Sequence, residues 1–326
     1  MKIAGIEVGE HPLILAPMED VTNPPFRQFC KKYGADWLYS EFVSADALVR
    51  SVNKSLKKLT IDERERPVTI QIYGRFIDSM VEAARIVEEV KPDFIDINFG
   101  CPVKRVAQKG AGAGLLRDIP FMIEMAKEVV RAVKIPVTAK TRLGWDNEHI
   151  IIEDIAEQLQ DVGIQALAIH GRTRAQMYSG EADWEPIARV KSNPRIKIPI
   201  LGNGDIISPE RAKEAFDKYG VDGVMIGRAT IGHPWIFRQI KHYFGTGELL
   251  PDLSVSEQLE ILKEQILLSV KWIDEVRGLL HMRRHMAVMF KGLSHFRDLR
   301  IRMLQASSVE ELWHVFDEIE KKYSDC

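Results

Sequence analysis

Leu13-Ile14-Leu15-Ala16-Pro17-Met18-Glu19-Asp20 is the stretch on which the fold turns: a short apolar run that ends in a polar turn without a glycine. A doubly wound open sheet needs a glycine-rich dinucleotide turn after its first strand, so this turn speaks against that fold. Outward from here one unit recurs to about residue 227. A β-branched apolar run leads into a loop bearing Gly, Asn or Arg, then into an amphipathic stretch of helical period. The expected strands are 13–16, 37–41, 68–72, 94–98, 137–140, 166–170, 198–201 and 223–226. Helices are expected at 77–90, 120–133, 150–162 and Pro209–Tyr219, the last with Ser208 as N-cap and proline at its first position. Eight βα units predict the α/β class, as a closed (βα)8 TIM barrel.

After His233-Pro234-Trp235 only helical patterns follow. Gly245-Thr246-Gly247-Glu248-Leu249-Leu250-Pro251 reads as a linker, and stretches 256–276, 279–290, 293–305 and 309–323 predict a small C-terminal helical bundle. The expected domains are a barrel over 1–244 and a bundle over 252–326. The 326 residues accommodate both, since a barrel alone takes roughly 250.

Hydrophobic residues at 45% and charged residues at 28% are ordinary for a globular chain, and no apolar run approaches the ~18 residues of a membrane span. The N-terminus is acidic and lacks a signal-like core, so the cytoplasm is the expected compartment. Cys30, Cys101 and Cys326 are odd in number and show no C-x-x-C spacing. That pattern excludes a disulfide framework and a structural zinc site, and no metal is expected.

In a barrel the active site lies at the C-terminal strand ends. The polar residues there are Met18, Glu41, Gln71, Asn98, Cys101, Lys140, Arg142, His170, Arg172, Asn203, Asp205 and Arg228, more than a purely structural barrel needs. Gly202-Asn203-Gly204-Asp205 and Gly227-Arg228-Ala229 fall after the last two strands, where barrels commonly hold a phosphate; tight turns alone are the plainer explanation. Gln71 and Lys140 end apolar strands, and a polar ligand such as a flavin ring would satisfy both. Lys140 could instead pair with Glu41. Cys101, flanked by Gly100 and Pro102, is expected on an accessible turn, with a thiol that stays protonated at neutral pH and so suits proton donation. His170, at a strand end beside Arg172 and Arg174, is better placed to meet a ligand than an ordinary core histidine.

Taken together, these segments resemble the tRNA-dihydrouridine synthase family, most closely its bacterial B-type branch. The resemblance is carried by Leu15-Ala16-Pro17-Met18-Glu19-Asp20-Val21-Thr22-Asn23, Gln71-Ile72-Tyr73-Gly74, Asp96-Ile97-Asn98-Phe99-Gly100-Cys101-Pro102 and Lys140-Thr141-Arg142-Leu143-Gly144-Trp145. It continues through His170-Gly171-Arg172-Thr173-Arg174, Gly180-Glu181-Ala182-Asp183-Trp184 and the two glycine loops, and more loosely into Met282-Arg283-Arg284-His285. It implies FMN as a tightly bound cofactor, NADPH as reductant and the C5–C6 bond of uridines in tRNA as the target. By motif position, Ala16, Pro17 and Met18 lie along the flavin ring, Gln71 and Lys140 bind its polar edge, and His170 contacts the cofactor. Asn203, Gly204, Asp205, Gly227 and Arg228 hold its phosphate end. Cys101 is then the general acid that protonates C5 opposite the hydride delivered to C6. Asn98, Arg142 and Arg172 are expected to meet the substrate.

The net charge of −2 does not suggest a polyanionic partner, but it conceals a local patch. Over residues 276–302, Arg277, Arg283, Arg284, Lys291, Arg297, Arg300 and Arg302 face one acid, Asp298: seven minus one, a balance of +6. Arg283, Arg284 and Lys291 are the expected tRNA contacts, against the alternative of a solvated helix face. Two other functions stay open at this point: an FMN barrel oxidoreductase acting on a small molecule, dihydroorotate-dehydrogenase-like, and a non-catalytic RNA-binding protein. The target uridine and the oligomeric state are not legible.

Overall fold

Eight parallel strands close into a ring: β1 (Leu13–Leu15), β2 (Trp37–Tyr39), β3 (Val68–Tyr73), β4 (Phe94–Asn98), β5 (Val137–Arg142), β6 (Leu167–His170), β7 (Ile200–Asn203) and β8 (Gly223–Ile226). The structure is a computed structural model that describes residues 1–324, so Cys326 lies outside the described residues. Closure comes from β8 pairing with β1, with Ile226 opposite Leu15, and from Leu38 of β2 opposite Val68 of β3. A two-residue strand, Val43–Ser44, extends β3 on its outer side. The expected barrel is the observed one.

The ring follows from period-2 alternation along each strand. Leu13, Leu15 and Leu38 point outward into the layer of helices. Ile14, Ala16, Trp37, Tyr39, Phe94, Ala166, Ala168, Leu201 and Met225 point inward and fill the barrel floor, with the Trp37 and Phe94 rings 4.7 Å apart. Higher on the inward face, β3 to β5 turn polar through Thr69 and Gln71, Asp96 and Asn98, and Thr138, Lys140 and Arg142. Register places Gln71 beside Asp96 and Asn98 beside Lys140.

Several boundaries differ from the expected ones. The second strand stops at Tyr39 because Ser40 and Glu41 turn to meet the β3 backbone and the Asp20 amide. The fifth reaches Arg142, and the seventh runs Ile200–Asn203 in place of 198–201. Polar strand ends carry both strands further toward the C-terminal side, because each has neighbours whose N–H and C=O groups continue the ladder there.

The tail is helical: α1 (Val255–Trp272), α2 (Glu275–Met286), α3 (Arg297–Gln305) and α4 (Val309–Tyr323). The expected single helix 256–276 is broken at Ile273-Asp274, where the Asp274 carboxylate accepts from the Arg277 amide and starts a new helix. The connection from the barrel lies later than the predicted linker, at residues 247–254. Helix Ile236–Thr246 runs into the predicted stretch before Gly247, at φ 76°, ends the helix in the left-handed conformation. The bundle has its own core around Leu259, Leu262, Ile266, Met303 and Phe316, and Trp235 from the barrel end joins it.

Helices α1 and α2 approach closely at Gly278, where a Cβ would lie 2.7 Å from the Val270 Cα. The obstacle is backbone and cannot rotate away. Gly278→Ala is therefore expected to destabilise the bundle by about 1–3 kcal/mol, read as a lower midpoint in thermal or urea unfolding.

Candidate active site

A cavity of about 690 Å³ opens at the C-terminal ends of the strands. Among the expected cofactor residues, Ala16, Pro17, Met18, Lys140, His170, Asn203, Gly204, Asp205, Gly227 and Arg228 line it, with Asn98, Cys101, Arg142 and Arg284. Gln71, Arg172, Arg283 and Lys291 do not. Phe42, Tyr178 and Glu19 line it without having been expected. Tyr178 lies in an irregular loop with no periodic signal. Only its neighbourhood exposes its place: the guanidiniums of Arg142 and Arg228 stand 5.6 and 5.0 Å from its ring centre.

Below Cys101 runs a buried chain of hydrogen bonds. Thr138 Oγ1 donates to Asp96 Oδ1 at 2.6 Å, and Gln71 Nε2 donates to Asp96 Oδ2 at 2.7 Å. Asn98 Nδ2 donates to Gln71 Oε1 at 2.8 Å, and Asn98 Oδ1 accepts from the Gly100 and Cys101 amides at 3.0 and 2.8 Å. When ionised the carboxylate has acceptors only, and it then sets the direction of every later bond and the orientation of both amides. Gln71 is thus a support beneath the cavity floor, not a wall residue. Asp96 and Thr138 were missed, being inward positions in a strand that otherwise reads as apolar. Burial raises the Asp96 carboxyl to about 7, against the Thr138 and Gln71 hydrogen bonds and Lys140.

Cys101 is 7% exposed, so the expected accessibility holds toward the cavity and not toward bulk water. Burial pushes its thiol up, against the pull of the Val103 amide and Arg142, which keeps it protonated at neutral pH. Arg142 is spent largely on the same loop. Its Nε donates to the Gly100 carbonyl at 2.8 Å and its Nη1 to Thr173 and Met177 carbonyls at 3.0 and 2.8 Å.

Lys140 does not pair with Glu41. Glu41 is taken by Lys58 at 3.1 Å and by the Asp20 amide at 2.9 Å, whereas Lys140 Nζ donates to Asn203 Oδ1 at 3.0 Å. Burial first, then Arg142, lowers the Lys140 ammonium to about 7. Burial and the same cations hold His170 neutral, well below the usual imidazole range.

Beyond β7 and β8, Asp205 accepts from Arg172 Nη1 and Nη2 at 3.0 and 2.6 Å and from Arg228 Nη2 at 3.0 Å. Burial pulls this carboxyl up, but the Arg172 hydrogen bonds and the Ala182 amide outweigh it and hold it low. A carboxylate repels a phosphate, so Asp205 serves by aiming Arg228. Arg172, 2% exposed, is the buried strut behind it. The backbone N–H groups of Gly204, Asp205, Gly227 and Arg228 find no acceptor among the described residues. Gly204, at φ 132°, has a conformation that favours glycine.

The basic stretch of the tail is partly neutralised. Arg277 pairs with Asp274 and Arg302 with Glu318, and among the described residues the other five of the seven cations have no such partner. Arg284 donates to the Glu19 carbonyl at 2.9 Å on the cavity rim, while Arg283 is half-buried with its Nε unpartnered and Lys291 is exposed away from the cavity.

A half-buried lysine that is half charged near neutrality leaves a signature in stability. Its folded value, about 7, lies below the unfolded 10.5, so the folded state binds fewer protons and stability rises with pH between those values. Lys140→Met removes the cost of charging. In flavin-free protein its stabilising effect should be at most about 5 kcal/mol at pH 6 and fall away by pH 10.5, followed by the pH dependence of urea unfolding.

Comparison with known proteins agrees with this geometry. The family model described as dihydrouridine synthase (Dus) matches residues 14–324. A Pseudomonas aeruginosa protein named tRNA-dihydrouridine synthase B is 43% identical over 288 residues, covering 88% of this chain and 86% of the relative. A Rickettsia bellii protein named probable tRNA-dihydrouridine synthase is 39% identical over 301 residues, covering 92% and 91%. A solved 2-naphthoyl-CoA reductase complex shares the barrel at TM-score 0.59 and 15% identity, over 74% of this chain and 51% of the reductase, a likeness of fold alone. The chain belongs to the dihydrouridine synthase family, on the side of its bacterial B-type members.

Proposed function

We propose that this protein reduces the C5–C6 double bond of specific uridines in tRNA, using FMN and NADPH in the cytoplasm, with Cys101 as the general acid. The observation that carries the reading is the pairing of a protonated thiol with an anion site across one cavity. The cavity of about 690 Å³ has room for a flavin, and its donors would serve both ends of one. Four unpartnered backbone N–H groups and Arg228 would hold the ribityl phosphate, and Lys140 and Asn203 would meet the polar edge of the ring. Ala16, Pro17 and Met18 would flank the ring, and neutral His170 would hydrogen-bond to it without adding charge. When bound, FMN supplies the hydride that the uracil receives.

The chain's own part is proton transfer and placement. Cys101 holds its proton on Sγ until the pyrimidine accepts it at C5, and the raised thiol value keeps the acid loaded at neutral pH. The Asp96–Gln71–Asn98 chain and the Arg142 bond to the Gly100 carbonyl fix the loop that carries it. Barrel 1–244 would provide this chemistry and bundle 252–326 would hold the RNA, with Arg284 reaching the rim. A target uridine must leave its stack to enter the cavity.

Cys101→Ala tests the assignment. The FMN-loaded variant is expected to keep its flavin absorbance and its bleaching by NADPH, but to lose dihydrouridine formation in unmodified tRNA by a hundredfold or more. Product formation at the native rate would remove Cys101 from the mechanism, and a colourless protein that refuses FMN would overturn the enzyme reading altogether.

A further inference from the structure

The mouth of the cavity is bordered on one side by the bundle, which touches the loops after β8 and β1 through Arg284 on Glu19 and His285 on Gly232. Across the ring, the loops after β4, β5 and β6 bring together Arg117, Trp145 and Arg174. The two guanidiniums lie 4.5 and 4.6 Å from the centre of the indole ring. Arg117 is exposed, and Arg174 has a buried Nε with no hydrogen-bond partner. Among the described residues neither has a carboxylate within ion-pair distance, whereas cations on the outer helices do, as in Arg85–Glu82, Lys127–Glu124 and Arg131–Glu128. Lys104, Arg105 and Lys109, exposed on the segment after Cys101, likewise have no acidic partner among the described residues. Among the described residues these five cations, unpaired with any carboxylate, all lie on segments that follow β4 and β6, on the face where the cavity opens.

The cluster is built, not incidental. Arg174 N donates to the Gly144 carbonyl at 2.9 Å and Ala175 N to the Trp145 carbonyl at 2.8 Å, stitching the β5 and β6 loops together. Ala113 N donates to the Cys101 carbonyl at 3.1 Å, so the segment that ends at Arg117 is tied to the loop that carries the thiol. A guanidinium over an aromatic face keeps its in-plane N–H groups free, and these groups match phosphate oxygens.

We propose that Arg117, Trp145 and Arg174 form a second phosphate grip for tRNA, across the mouth from the bundle. This rests on the function proposed above. The ribose-phosphate chain on one side of the extruded uridine meets the bundle, and the chain on the other side meets Arg117 and Arg174. Trp145 serves as the platform that aims both guanidiniums. RNA is the favoured occupant because the same rim must admit a nucleotide held in a polyanion.

The test uses full-length, FMN-loaded protein and an unmodified tRNA transcript, with dissociation constants measured across a salt series. Arg117→Glu and Arg174→Gln should each weaken binding about fivefold or more and lower the slope of log Kd against log salt by about one. Arg117→Lys should restore most of the slope, while flavin content and NADPH-driven bleaching stay unchanged. Arg131→Glu, on the outer layer, should bind as the wild type does. Affinity and slope unchanged in the Arg117 and Arg174 variants, with a wild type that forms dihydrouridine, would overturn the grip alone and leave this rim to another partner such as an acidic protein. A wild type that forms no dihydrouridine in any tRNA would instead overturn the reading on which the grip rests.

Discussion

Closure of the ring between β8 and β1 is the constraint on which everything else depends. Parallel strands joined by helices send all their C-terminal ends the same way, and the pairing of Ile226 with Leu15 brings the last end beside the first. Residues as distant in sequence as Met18 and Arg228 therefore share one cavity wall. Without closure the glycine loops after β7 and β8 would stand at one edge of an open sheet, far from the Cys101 loop.

Inside that ring two kinds of material divide the space. Aromatic and aliphatic side chains fill the floor, where the buried Trp37 Nε1 donates to Thr69 Oγ1 at 2.6 Å. Above them stands an ionisable group, Asp96, whose burial is costly unless both oxygens are bonded. Thr138 and Gln71 meet that need, and the direction imposed by an acceptor-only carboxylate passes through Asn98 to the Cys101 amide. The arrangement converts an expensive buried charge into a fixed thiol position. Asp205 does the same on the other side, aiming Arg172 and Arg228.

The barrel was legible in the sequence because its signal is repeated: eight apolar runs of similar length separated by helical periods leave few alternatives. Cavity lining was legible wherever a residue ends an expected strand, as with Asn98, Lys140, His170 and Asn203. Partnership was not. Glu41 looked available to Lys140, yet Lys58, from a helical turn with no catalytic signature, takes it. Gln71 and Asp96 are neighbours across strands, and register cannot be read from either strand alone. Nor could the 276–302 charge balance reveal that Arg302 is matched by Glu318, sixteen residues away on another helix. Patterns that repeat along the chain survive in the sequence, while pairings between elements emerge only when the chain has closed.

The bundle is docked by specific polar contacts to the very loops that shape the cavity. His285 is buried, and burial lowers its imidazole to about 3, so it stays neutral and its Nδ1 accepts from the Gly232 amide at 3.1 Å. Gly232 leaves the segment Gly227–Ile231 that borders the anion site, and its φ of 67° with the His285 backbone close by leaves little room for another residue. Phe26 packs on the same imidazole, with ring centres 4.7 Å apart, and Lys32 bonds Glu264 from the barrel side. A load on α2, which carries both Arg284 and His285, is therefore felt at the β8 loop through one helix and one hydrogen bond. Linkage makes the effect reciprocal: a ligand that ordered the β8 loop would also steady α2.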